Sequence, residues 1–161
     1  MSGPKSPPAS APNPAPKTFS LVVRRTIRAT PARLFAAWTQ PEQLLAWWGP
    51  AAVTCIAAEI DLRVGGRYRL GNQFPDGNII WIFGEFERVE SPQLLIYTWR
   101  LREEAPVSER VTVRFEARDA GSTEIVIIHE RLLDQASQAE HERGWFGCLD
   151  GLAEFLAARS Q

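Results

Sequence analysis

The chain has 161 residues, 45% hydrophobic and 23% charged, values that fit one globular domain with a sizeable core. Its 18 basic and 19 acidic side chains leave a net charge of -1 and are scattered, so no basic stripe exists to bind nucleic acid. No apolar run reaches the ~18–20 residues of a membrane span, and the N-terminus carries no secretory apolar segment, which makes the cytoplasm the expected compartment.

Residues 1–17 hold six Pro and no large apolar side chain beyond Met1. Such a segment buries too little surface to offset its ordering entropy, so a disordered tail is expected before a domain over 18–161. Phe19, Leu21, Val23 and Ile27 share one parity and predict a strand from Thr18. Thr30-Pro31 is an N-cap followed by Pro at the first helical position, predicting a helix over 31–39. A second short helix is expected over about 41–47, ended by Trp48-Gly49-Pro50.

From Val53 the period changes, and strands are expected near 53–62, 66–73, 79–89, 94–102, 109–118 and 122–132. Gly-, Pro- and Asp-rich turns separate them, and such short connections dictate antiparallel pairing. A long helix over about 137–158 closes the chain, with Trp145, Cys148, Leu149, Leu152, Phe155 and Leu156 on one stripe. The fold class is therefore α+β: a seven-stranded antiparallel sheet wrapped around one long C-terminal helix, with two short helices after the first strand.

Three segments carry a resemblance. Ala37-Trp38-Thr39-Gln40-Pro41-Glu42-Gln43-Leu44 with Trp47-Trp48-Gly49-Pro50 resembles a signature near the start of START-like domains, in the subgroup related to the heat-shock-protein-90 ATPase activator. Glu59-Ile60-Asp61-Leu62-Arg63-Val64-Gly65-Gly66-Arg67 is similar to that subgroup's second signature, and Gly144-Trp145 with Leu149 to Leu156 resembles its closing helix. They follow in order over residues 19–158. The resemblance implies a helix-grip fold with an apolar cavity between the sheet and the last helix. The superfamily spans carriers, receptors, cyclases and co-chaperones, so fold analogy does not choose an activity. The separate N-terminal domain of the eukaryotic activators has no counterpart in residues 1–17.

Six Trp, eight Phe and two Tyr are the main functional signal. The expected ligand-binding set is Trp38, Trp81, Phe83, Tyr97, Trp99, Phe115, Ile127, His129, Trp145 and Leu149, since apolar ligand sites are aromatic walls with few polar groups. Each of these is equally at home in a packed core. Both parities of strand 79–89 are apolar, so its inward face stays open. If Trp81 and Phe83 point inward, Glu85 does too and becomes a candidate general base. A face left outside is a candidate homodimer surface.

His129 is the first candidate to orient a ligand, and His141, one turn before Trp145, stands near a cavity mouth. No Gly-x-Ser-x-Gly is present, and Gly65-Gly66 precedes a strand rather than a helix, so neither a nucleophile elbow nor a phosphate loop is read. Cys55 and Cys148 read as buried reduced thiols, with no metal and no cofactor expected. The expected function is binding of a small hydrophobic molecule, with a chaperone-binding interaction module as the alternative and a cyclase or hydrolase third. Helices 31–47 would form the rim, and loops 74–78 and 103–108 the gates.

Overall fold

A computed structural model describes residues 17–50, 52–101 and 108–159. The elements run β1 (Phe19–Ile27), α1 (Pro31–Thr39), α2 (Pro41–Trp47), β2 (Thr54–Ile60), β3 (Arg67–Gln73), β4 (Ile79–Glu90), β5 (Leu94–Trp99), β6 (Glu109–Asp119), β7 (Ser122–Leu132) and α3 (Gln135–Arg159). The seven strands form one antiparallel sheet in the order β1-β7-β6-β5-β4-β3-β2. Strands β2 to β7 are a meander, and β1 closes the far edge on β7. The long helix α3 lies in the curve of the sheet against β1, β7 and α2, which is the helix-grip arrangement expected from the sequence.

The local chemistry explains the boundaries. Thr30 Oγ1 accepts the Arg33 N–H at 3.1 Å, and Pro31 supplies the helical φ at the first position of α1. Thr30→Ala should cost about 1 kcal/mol of stability by chemical denaturation, because one orphan N–H loses its partner. Helix α3 starts two residues before the sequence reading, because Asp134 Oδ1 accepts the Ser137 N–H at 2.7 Å and caps a first turn that carries no apolar stripe. Strand β5 stops at Trp99 rather than at 102. Arg100 then exchanges both backbone hydrogen bonds with Phe83 as an isolated bridge. All but Lys17 of the expected tail, and 103–107 of the second expected gate, lie outside the described residues.

Alternation sets the two faces of the sheet. Leu95, Tyr97 and Trp99 of β5, Val111, Val113 and Phe115 of β6, and Thr123, Ile125, Ile127 and His129 of β7 point into the grip, where they meet Leu149, Leu152 and Leu156 of α3. Gly84 lets β4 cross β5 closely, since a Cβ there would lie 2.0 Å from the Thr98 carbonyl oxygen. Gly151 does the same for α3, where a Cβ would sit 3.0 Å from the Trp47 carbonyl oxygen.

On β4 the inward residues are Ile82 and Phe86. Trp81, Phe83 and Glu85 therefore stand on the convex face, with the Arg69 guanidinium 4.5 Å from the Trp81 ring centroid. This corrects the placement of Trp81 and Phe83 in the ligand-binding set and removes the condition on which Glu85 became a general base. Two apolar parities on one strand carry no sign of which side is concave.

Candidate functional site

Inside the grip the aromatic side chains pack against one another rather than around a large chamber. Trp38 from α1 stacks on Trp145 from α3, with ring centroids 6.1 Å apart and planes 20° from parallel. Trp48 and Trp99 meet Trp145 at 5.7 and 5.6 Å, and Phe115 meets Trp38 at 5.9 Å. What remains among Trp38, Leu44, Tyr68, Phe86 and Tyr97 is a void of about 20 Å³, about the room for one water. Trp38 donates to the Tyr97 hydroxyl at 3.4 Å, and Tyr68 donates to the Thr98 carbonyl at 2.6 Å, so these polar tips are satisfied internally.

The larger space lies at one end of the grip. A cleft of about 220 Å³ is walled by Trp48, Pro50 and Val53 after α2, Asn72 from β3 and Phe74 just after it, Ile80 and Ile82 from β4, Trp99 from β5 and Leu101 beyond it, and Glu140, His141, Gly144, Trp145 and Cys148 from α3. Ile80 and Leu101 are exposed at its rim. Gly144 contributes only backbone, and a Cβ at that position would meet nothing within 4 Å. A glycine inside a helix costs ~0.5–1 kcal/mol relative to alanine, and here the return is open volume in the cleft.

Two polar atoms in this apolar wall have no hydrogen-bond partner among the described residues: Asn72 Oδ1, an acceptor, and Trp99 Nε1, a donor. Both residues are deeply buried, at 5% and 7% exposure. A buried polar atom without a partner costs about 1–3 kcal/mol, and both of these atoms belong to residues that line the one cleft.

Behind the cleft runs a hydrogen-bonded chain. Trp145 Nε1 donates to His129 Nδ1 at 3.0 Å. Indole nitrogen can only donate, so His129 carries its proton on Nε2 and gives it to Glu109 Oε1 at 2.7 Å. His141 Nε2 lies 3.3 Å from the same carboxylate oxygen, and the two imidazole rings are 4.2 Å apart. Burial pulls the His129 pKa below its ordinary 6.5, against the pull of the Glu109 hydrogen bond, and keeps the ring neutral. Burial alone would raise Glu109, yet the hydrogen bonds from the two histidines prevail and hold it at about 2. Cys148 is pushed up to about 12 by burial and remains a thiol, and both cysteines are free.

Two histidines and a carboxylate, with ligand atoms all within 4.8 Å of one another, are also the donor set of a metal site. The tautomer opposes that use. A metal on His129 Nε2 would move the proton to Nδ1, where it would face the Trp145 N–H, donor against donor. The trio fits a proton-holding chain better than a metal.

A family model described as Activator of Hsp90 ATPase homolog 1-like protein matches residues 28–157. The chain belongs to this family. Among solved structures, the activator-homologue protein of Silicibacter pomeroyi is 26% identical, with a TM-score of 0.76 over 88% of this chain and 99% of that one. A Nitrosomonas europaea protein, 23% identical, shares the fold at a TM-score of 0.76 over 88% and 96%. An Hsp90 activator from Plasmodium falciparum is 26% identical, with a TM-score of 0.55 over 70% and 73%. No curated protein matches the chain.

In this activator-homologue domain the expected site residues divide four ways. Trp99 and Trp145 wall the cleft, and His129 lies directly behind it with 0% exposure. Trp38 and Tyr97 border the small void, while Phe115, Ile127 and Leu149 are core. Trp81 and Phe83 are on the other face. The sequence reading missed Asn72 and Glu109. Parity held the signal for both: Asn72 shares parity with Tyr68 and Leu70, and Glu109 with Val111, Val113 and Phe115, so each is a polar residue on an inward row. Of the expected gates, only Phe74 of loop 74–78 reaches the cleft among the described residues. No helix among the described residues is long and apolar enough to cross a membrane.

Proposed function

We propose that this chain binds a small, largely aromatic molecule in the end cleft, with Trp48, Trp99 and Trp145 supplying the apolar wall. The observation that carries the reading is the pairing of open apolar volume with two buried, unpartnered polar atoms. An apolar cavity of ~150 Å³ admits benzene, so about 220 Å³ suits a molecule of one to two rings. Each Å² of apolar surface removed from water contributes about 25 cal/mol toward binding. The fixed hydrogen-bond chain supports binding rather than turnover, since His129 has both ring nitrogens engaged.

Native mass spectrometry of freshly purified protein, with organic extraction, should reveal a retained small molecule at up to one per chain. Gly144→Leu should fill the cleft, lose that molecule and leave stability unchanged or higher, because leucine is the better helix former. Equal retention by the wild type and the filled variant would sink the cleft as the site.

A second reading, a co-chaperone-like module, rests on the family description and on the Plasmodium falciparum Hsp90 activator. Its surface would be the convex face carrying Ile79, Trp81 and Phe83, which could equally seat a second copy of the chain. A copurifying chaperone retained by Gly144→Leu and lost on Trp81→Ala would favour it.

A further inference from the structure

The polar atoms of the cleft also specify which aromatic molecule it takes, an inference that rests on the cleft being a binding site. Asn72 Oδ1 needs a donor, and Trp99 Nε1–H needs an acceptor. A ligand that satisfies the wall must therefore both donate and accept, which a hydroxyl does and an acceptor-only carboxylate does not.

Charge points the same way. Among the described residues that line the cleft none is Lys or Arg, and Glu140 stands at its edge with Glu109 close behind His141. An anion entering this low-dielectric space would leave water without a counter-charge and meet two carboxylates. We propose that the ligand is an uncharged hydroxylated aromatic, its hydroxyl donating to Asn72 Oδ1 and accepting from Trp99 Nε1.

The proposal is tested by calorimetric titration of the intact chain at neutral pH with 2-naphthol, naphthalene and 2-naphthoate, compounds that share two fused rings and differ in the polar group. 2-Naphthol should bind at least about tenfold more tightly than naphthalene, because the hydrocarbon leaves both buried atoms unpaired. 2-Naphthoate should be the weakest. Asn72→Leu should erase the preference for 2-naphthol while retaining naphthalene binding. The variant should melt no lower than wild type, since it removes an unpartnered buried acceptor without changing side-chain size greatly. Trp99→Phe should reduce the preference while keeping a ring in the wall.

Naphthalene or naphthoate binding as tightly as 2-naphthol would overturn the hydroxyl inference and leave the apolar cleft standing. Persistence of the preference in Asn72→Leu would do the same. Failure of all three compounds to bind a folded protein would instead overturn the binding reading itself.

Discussion

Trp145→Ala should lower the unfolding free energy by about 3–5 kcal/mol, the range for truncating a buried large aromatic side chain. Trp145 is 2% exposed and touches four other aromatic rings, those of Trp38, Trp48, Trp99 and His129. It is the residue through which α3 grips both the short helices and the sheet. The surrounding rings come from α1, the segment after α2, β5 and β7, so the site cannot collapse onto the void without moving a helix. The truncation should also abolish ligand retention, because the cleft loses one wall.

Trp145→Phe separates the two roles. It keeps a ring in the stack but removes the N–H that His129 Nδ1 accepts at 3.0 Å, and a buried acceptor left unpaired costs about 1–3 kcal/mol. A double-mutant cycle with His129→Leu isolates that share: Trp145→Phe should cost less when the imidazole is already gone. Urea unfolding followed by far-ultraviolet circular dichroism gives all four stabilities. Equal costs in both backgrounds would show that the indole acts by packing alone and would break the chain of fixed protons at its first link.

Much of this architecture is legible in the sequence because two periods and a set of turn residues encode it. Thr30-Pro31 marks the start of α1, Asp119-Ala120-Gly121 marks the β6–β7 turn, and Val111, Val113 and Phe115 declare the inward row of β6. The same patterns fail where both rows are apolar. Trp81 and Phe83 alternate with Ile80 and Ile82, and only the three-dimensional curvature of the sheet decides which row is concave.

The site is less legible for a different reason. Whether Trp38, Trp48, Trp99 and Trp145 enclose a chamber or fill it depends on ring angles that composition does not carry. The polar groups that matter lie far apart in the chain: Asn72, Trp99 and His141 line one cleft from three elements, and Glu109 meets His129 and His141 across two strands and a helix. A polar residue on an otherwise apolar inward row is the one local clue to them, and Asn72 and Glu109 both supply it.

Stability should fall in two adjoining steps as the solution is acidified. In the unfolded chain His129 titrates near 6.5, whereas burial lowers its folded pKa, so between the two values the unfolded state binds the extra proton. Its contribution is complete above about pH 6.5 and is lost as pH falls toward the folded value. Glu109 continues the decline, with a pKa lowered from 4.5 to about 2; its contribution is present above 4.5 and disappears as pH drops to about 2. Discounted for its partial exposure, that second step is on the order of 2 kcal/mol. The groups that face this centre are Trp145 and His141 from α3, Trp99 from β5 and Glu109 from β6, and protonating His129 at Nδ1 sets it directly against the Trp145 N–H. Urea unfolding at intervals from pH 8 to pH 3 should therefore show a slope already developing below 6.5. His129→Leu should flatten the upper step, and Glu109→Gln the lower one, its amide oxygen still accepting from His129. An upper step of full size in His129→Leu would assign the titration to another group.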